Sequence, residues 1–165
     1  MKEILITSAI DGTKQPSLFH QSPVKNSPLL VGLHTWSFGR DNQVENLLPI
    51  AKELNWNLLL PEFRGPNLAS NPQAEKACGS PYAKQDIIDA VNYIHDNFEV
   101  GLENVFLIGG SGGGHMALMM AAYAPKLWKA VAAFVPICDL KTWYCEAQNY
   151  SEHIASCCGG EPEGE

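Results

Sequence analysis

Val105-Phe-Leu-Ile-Gly-Gly-Ser-Gly-Gly-Gly-His-Met-Ala-Leu-Met-Met-Ala-Ala-Tyr-Ala124 is the stretch on which the reading of this 165-residue chain turns. Its first four residues, Val105 to Ile108, form a short apolar run that reads as a buried strand. Gly109-Gly110-Ser111-Gly112-Gly113 follows, and then a run of helix formers that Pro125 closes. A single serine thus stands at a strand-to-helix turn with glycine on both sides. That is the context a G-x-S-x-G nucleophile elbow requires. So sharp a turn brings neighbouring backbone close, and glycine alone tolerates the crowding and the unusual dihedrals. Ser111 Oγ would stand exposed above the sheet. The Gly112 amide, at the start of the helix, would point at a developing oxyanion.

Two other readings of the same residues compete. One is a glycine-rich turn carrying a solvated serine. The other is a phosphate-binding turn. A P-loop is excluded because its Lys-Ser or Lys-Thr ending is absent. The spacing Gly112-x-Gly114-x-x-Ala117, with Asp139 closing the next apparent strand, does match a dinucleotide fingerprint. It ranks second, because that fingerprint normally follows its strand directly, and here Ser111 and two glycines intervene.

Outward from the elbow, strands and helices alternate. Toward the N-terminus, Glu3 to Ala9 and Pro16 to Gln21 read as strands joined by the Asp11-Gly12-Thr13 turn, an antiparallel edge. Leu29 to Leu33 is a continuous apolar run suited to a central strand. Asp41 reads as the cap of a helix whose apolar positions are Val44, Leu47, Leu48, Ala51 and Leu54, with Pro49 a candidate kink. Trp56 to Pro61 is the next strand, and Glu62 to Gly79 a long loop. Ser80-Pro81 is a helix start, with serine as cap and proline in the first turn. Beyond the elbow helix, Ala130 to Ile137 reads as a strand, and residues 140–165 as an irregular or helical tail. Alternation of this kind implies a mostly parallel α/β sheet with helices on both faces, in one domain over 1–165.

An acyl-transfer serine needs two oxyanion donors, a base, and a group that orients the base. The second donor belongs to the loop after the third strand. There, Trp36 is the first candidate and Thr35 the second. Trp36 as a mere packing aromatic is the alternative. His34, at the strand end under that loop, reads as structural. His115, one turn along the elbow helix, is expected to face away from the serine or to pack beneath the turn, and reads as structural. His153, with Asp139, Glu146 or Glu152 as partner, is the one downstream pairing to be drawn, and nothing in the tail anchors it near Ser111.

Asp11-Gly-Thr, Leu33-His-Thr-Trp, Pro61-Glu-Phe-Arg-Gly65, Asp86-Ile-Ile-Asp-Ala-Val-Asn-Tyr93 and Gly109-Gly-Ser-Gly-Gly-Gly-His115 together resemble the catalytic domain of prolyl oligopeptidase-family serine hydrolases. The group includes acetyl xylan esterase-like relatives. The resemblance implies an α/β-hydrolase sheet, with Ser111 as nucleophile and the Gly112 and Trp36 amides as oxyanion donors. It assigns no role to Arg64-Gly65. It also implies two further strands bearing the acid and the histidine, so that the chain reads as C-terminally truncated and lacking the last strands. The expectation is a hydrolase, peptidase or esterase, that is weak or inactive as this chain alone; the alternative, beside the dinucleotide-binding domain, is a non-catalytic hydrolase-like protein kept for binding. The absence of a gating domain before it favours a small ester. A parallel sheet lacking its last strands would expose an apolar edge and self-associate.

Bulk properties set the remaining expectations. A net charge of −7 disfavours nucleic acid and anionic membranes as partners. The N-terminal apolar run is too short for an export signal, so the chain is expected in the cytoplasm. Five cysteines, at 78, 138, 145, 157 and 158, then read as free thiols. Cys145, His153, Cys157 and Cys158 can be drawn as a zinc site, but their spacing matches no common ligand pattern. No cofactor or metal is expected.

Overall fold

A strand buried on both faces favours a continuous apolar run, which β3 (Leu29–Leu33) has throughout and β4 (Asn57–Pro61) has after Asn57, whose buried side chain is hydrogen-bonded to Ser22 and Ser27. In the computed structural model, which describes residues 1–163, both lie at the centre of a six-stranded sheet. The other strands are β1 (Lys2–Thr7), β2 (Lys14–His20), β5 (Val105–Gly110) and β6 (Ala130–Phe134), and the order is β1-β2-β4-β3-β5-β6. β1 and β2 form an antiparallel edge, and β4, β3, β5 and β6 run parallel. This is the mostly parallel α/β-hydrolase arrangement.

The period of two along each strand divides the core between the faces. Leu29, Val31, Leu33 and Leu59 turn to α2 (Pro81–Phe98) and α3 (Gly112–Tyr123), where Ile87, Val91, Ile94, Met116 and Met120 complete the larger cluster. Leu30, Leu58 and Leu60 turn the other way, to Leu47 and Ala51 of α1 (Val44–Leu54). Each fully buried leucine is worth roughly 1.5–3 kcal/mol of transfer free energy.

A buried ionic knot ties the antiparallel edge to the rest. Arg64, whose side chain is wholly buried, donates to Asp86, Asp11 and Ser8, and Ser8 donates to Asp86 at 2.7 Å. Asp11, from the Asp-Gly-Thr turn, thus meets the Arg-Gly segment and α2.

Several local expectations change. Asp41 caps no long helix: it lies in a 3-10 turn, Arg40–Gln43, and α1 begins behind Gln43 without a side-chain cap. Pro49 sits inside α1. β6 stops at Phe134, not at Ile137, because Val135 takes a left-handed φ of 39° that no strand can continue. Ser80 caps α2 as read, accepting from the Ala83 amide. The tail forms two helices, α4 (Leu140–Glu146) and α5 (Gln148–Cys158). Phe134 and Val135, at the β6 edge, are 60% and 85% exposed.

Candidate active site

The register of the sheet builds the site. Leu33 at the end of β3 lies opposite Gly109 near the end of β5, so the loops that follow both strands leave the sheet side by side. At the corner after β5, Ser111 holds φ 53° and ψ −118°, a strained conformation for a residue with a side chain. Its amide donates to Phe134 O at 3.0 Å, and its carbonyl receives His115 N–H at 2.9 Å. The backbone is therefore pinned on both sides while the side chain stays exposed. Gly109 makes the corner possible, since a Cβ there would run into the Gly113 carbonyl.

Gly112 begins α3, and a Cβ on it would lie 2.5 Å from Trp36 N. Two backbone amides thus converge beside Ser111, one from each loop. The Gly112 amide belongs to the first turn of a helix, where no intrahelical acceptor exists. The Trp36 peptide is held from behind, by Asn67 N–H donating to Trp36 O at 2.7 Å. Thr35, the second candidate, is otherwise engaged: its amide donates to Asn42 Oδ1 at 3.1 Å. Two such donors, one at a helix start and one in the facing loop, can receive a developing negative charge.

The chain's histidines lie elsewhere. His34 is buried and stacked on Phe63, with its ring nitrogens 2.9 Å from the Thr35 and Glu62 carbonyls. Burial lowers its pKa, against the pull of those carbonyls. His115 Nδ1 donates to Ile137 O at 3.0 Å, and burial lowers its pKa too. His153 Nδ1 accepts from Ala69 N at 3.0 Å, and His95 Nδ1 bonds Val100 O at 2.7 Å. His20 ends β2, away from the corner. His34 and His115 are structural, as read, and His153 is anchored to a loop by the nitrogen that would have faced an acid.

Asp139 caps α4, accepting from the Thr142 amide and hydroxyl, which hold its carboxyl below the ordinary range. That removes the acid from the dinucleotide reading. Gly112 and Gly114 are closed off as well, against Trp36 and against Phe134 and Pro136. Among the described residues no group of three His, Cys, Asp or Glu is placed to hold a metal ion.

Two aromatic residues at the site went unnoticed in the sequence. Trp143 of α4 packs edge-on against Trp36 with centroids 4.9 Å apart, and Tyr150 of α5 lies 4.7 Å from Trp143. Their spacing of seven marks one face across two helices, a signal that the intervening helix break hides.

Residues 81–162 match the prolyl oligopeptidase family model. No curated protein sequence matches the chain. Among solved structures, acylaminoacyl peptidase from Pyrococcus horikoshii aligns with 97% of this chain at 17% identity and a TM-score of 0.71. A fluorophosphonate-binding serine hydrolase of Staphylococcus aureus aligns with 96% at 14% identity and a TM-score of 0.76. A ferulic acid esterase of Anaeromyces mucronatus aligns with 85% at 20% identity and a TM-score of 0.63. The chain spans 26%, 65% and 60% of their respective lengths.

Proposed function

We propose that this chain, residues 81–162 of which match the prolyl oligopeptidase family model, is the nucleophile-bearing part of a serine hydrolase of that family that cleaves an ester or peptide bond through an acyl-enzyme at Ser111. Ser111 Oγ attacks the substrate carbonyl and passes its proton to a base. The oxyanion that results takes hydrogen bonds from the Gly112 and Trp36 amides. The leaving group departs with the proton, and water repeats the sequence on the acyl-enzyme.

One observation carries the reading: a strained serine with an exposed side chain stands beside two unengaged amides from different loops. The base and its acid are proposed to come from outside residues 1–163. Four of the five histidines are committed to backbone groups, and the fifth ends an edge-side strand. Without a base, Ser111 remains a neutral and weak nucleophile, so the 165-residue chain alone hydrolyses p-nitrophenyl acetate slowly at best. No helix among the described residues is long and apolar enough to cross a membrane.

A fluorophosphonate probe tests the assignment. The protein made from its whole reading frame should label at Ser111, and Ser111→Ala should lose the label. Undiminished labelling of Ser111→Ala would overturn it.

A further inference from the structure

Three consecutive peptide groups make up the loop after β3 that faces Ser111, and each is gripped at one end by another residue. The Thr35 amide donates to Asn42 Oδ1 at 3.1 Å, and Trp36 O accepts the Asn67 amide at 2.7 Å. Between them lies the Thr35–Trp36 peptide, whose N–H is the donor assigned above to the oxyanion. Its carbonyl oxygen lies 2.9 Å from His34 Nδ1. A peptide group is planar and trans, so its C=O and N–H point in opposite directions. Whatever grips Thr35 O therefore sets where the Trp36 N–H points.

The His34 ring is itself immobilised. His34 follows β3 directly and is 2% exposed. Its backbone abuts the elbow helix, since a Cβ on Gly113 would lie 2.6 Å from both His34 O and Leu33 O. The ring stacks on Phe63 with centroids 3.9 Å apart and planes 8° from parallel, and Nε2 lies 2.9 Å from Glu62 O. It cannot turn or slide without breaking these contacts. Burial favours the neutral ring, which has one N–H to give. Glu62 O already accepts the Gly65 amide at 2.9 Å, while Thr35 O otherwise receives the Phe38 amide at a long 3.5 Å. The ring proton therefore contributes most on Nδ1.

We propose that His34 is a positioning residue for the reaction at Ser111: its Nδ1–H, bonded to Thr35 O, aims the Trp36 N–H at the oxyanion. The proposal rests on Ser111 as nucleophile and gives a role to a residue that touches no substrate. One bond has two effects. It denies the Thr35–Trp36 peptide plane rotation about the Thr35 Cα–C and Trp36 N–Cα bonds. It also polarises the amide, and a hydrogen bond to a carbonyl strengthens the N–H of the same peptide as a donor by about 10–30%. No proton leaves the ring during the reaction, so His34 does not stand in for the base.

Two substitutions separate the two ring nitrogens. Asparagine holds its amide nitrogen one bond beyond Cγ, as histidine holds Nδ1, and glutamine reaches toward the place of Nε2. His34→Asn thus keeps a donor for Thr35 O, and His34→Gln keeps one for Glu62 O. The protein made from its whole reading frame is assayed on a p-nitrophenyl ester. His34→Gln should lose about 10–100-fold in kcat with KM within about twofold, because the oxyanion develops only on the way to the transition state. His34→Asn should recover most of that loss. Both variants lose the stack on Phe63, so their urea midpoints should fall together while their kcat values part. In the unsubstituted protein, the His34 ring assigned by through-bond NMR should carry a proton on Nδ1 at pH 7.5, and this readout stands even where a variant fails to fold. Fluorophosphonate labelling keeps this proposal distinct from the one it rests on. A protein that takes no label at Ser111 sinks both. In a labelled protein, equal kcat values for the two folded variants, or a His34 ring with Nδ1 unprotonated, would overturn the role of His34 alone.

Discussion

Gly112→Ala adds one methyl group at the tightest point of the site. An ideal Cβ there lies 2.5 Å from Trp36 N, 2.6 Å from Trp36 Cα and 2.8 Å from Trp36 Cβ. Unstrained contacts with carbon begin near 3.5 Å, so the Trp36 backbone or the start of α3 must retreat by roughly 1 Å. Neither yields freely. Trp36 O is bonded to the Asn67 amide and the ring abuts Trp143, while α3 is hung from Phe134 through the Ser111 amide. Oxyanion donors act at about 2.7–3.1 Å, and a further 1 Å takes the Trp36 amide out of hydrogen-bonding range. Loss of one such donor lowers kcat by about 10²–10³, and overpacking of this kind costs about 1–3 kcal/mol of stability. The assay is kcat and KM on a p-nitrophenyl ester with the protein made from its whole reading frame, alongside the urea midpoint. Gly12→Ala is the control. Gly12 has φ +71° and nothing within 4 Å of its Cβ position, so its replacement strains the backbone and leaves kcat alone. A kcat for Gly112→Ala within threefold of the parent enzyme would refute the reasoning, whatever the urea midpoint did.

Asp86→Ala should be among the most destabilising single substitutions. It strips two hydrogen bonds from a guanidinium with no exposure to water and one from Ser8, at about 3–5 kcal/mol and a Tm drop on the order of 10 °C. A loss under about 1 kcal/mol by denaturant titration would show the knot to be dispensable. Acid should weaken the fold before the ordinary carboxylate range is reached. His34 and His115 have pKa values lowered chiefly by burial, so the unfolded chain takes up their protons first. The stability they confer is complete above about pH 6.5 and is lost as pH falls toward their folded values. Urea midpoints should decline from pH 7.5 to 5.5, and a flat or rising profile contradicts the assignment of both as buried neutral rings.

Where a feature depends on near neighbours, the chain declares it. β3 spans Leu29–Leu33 as its apolar run implies, and α2 starts at Ser80-Pro81 because an oxygen acceptor and a fixed φ suffice to begin a helix. Features that depend on distant partners were misplaced or missed. Asp41 has the chemistry of a cap, but Arg40 is drawn to Glu62 and Glu3, and the chain tightens into a 3-10 turn there. The apolar run from Ala130 to Ile137 carries no mark of the break at Val135. That break lets the Ser111 amide reach Phe134 O and Ile137 O reach His115. The ionic knot joins residues 11, 64 and 86, and no local pattern couples them.

By itself, the order of residues determined the serine corner. A strand run, flanking glycines and a helix run act within ten positions, and backbone sterics at that range need no help from the rest of the molecule. Tertiary structure alone decided which amide would face that serine and which histidines would be unable to serve it. Those outcomes follow from the parallel pairing of Leu33 with Gly109, and from carbonyls that reach each ring from other segments. Such contacts exist only once segments far apart in the chain have been packed against one another.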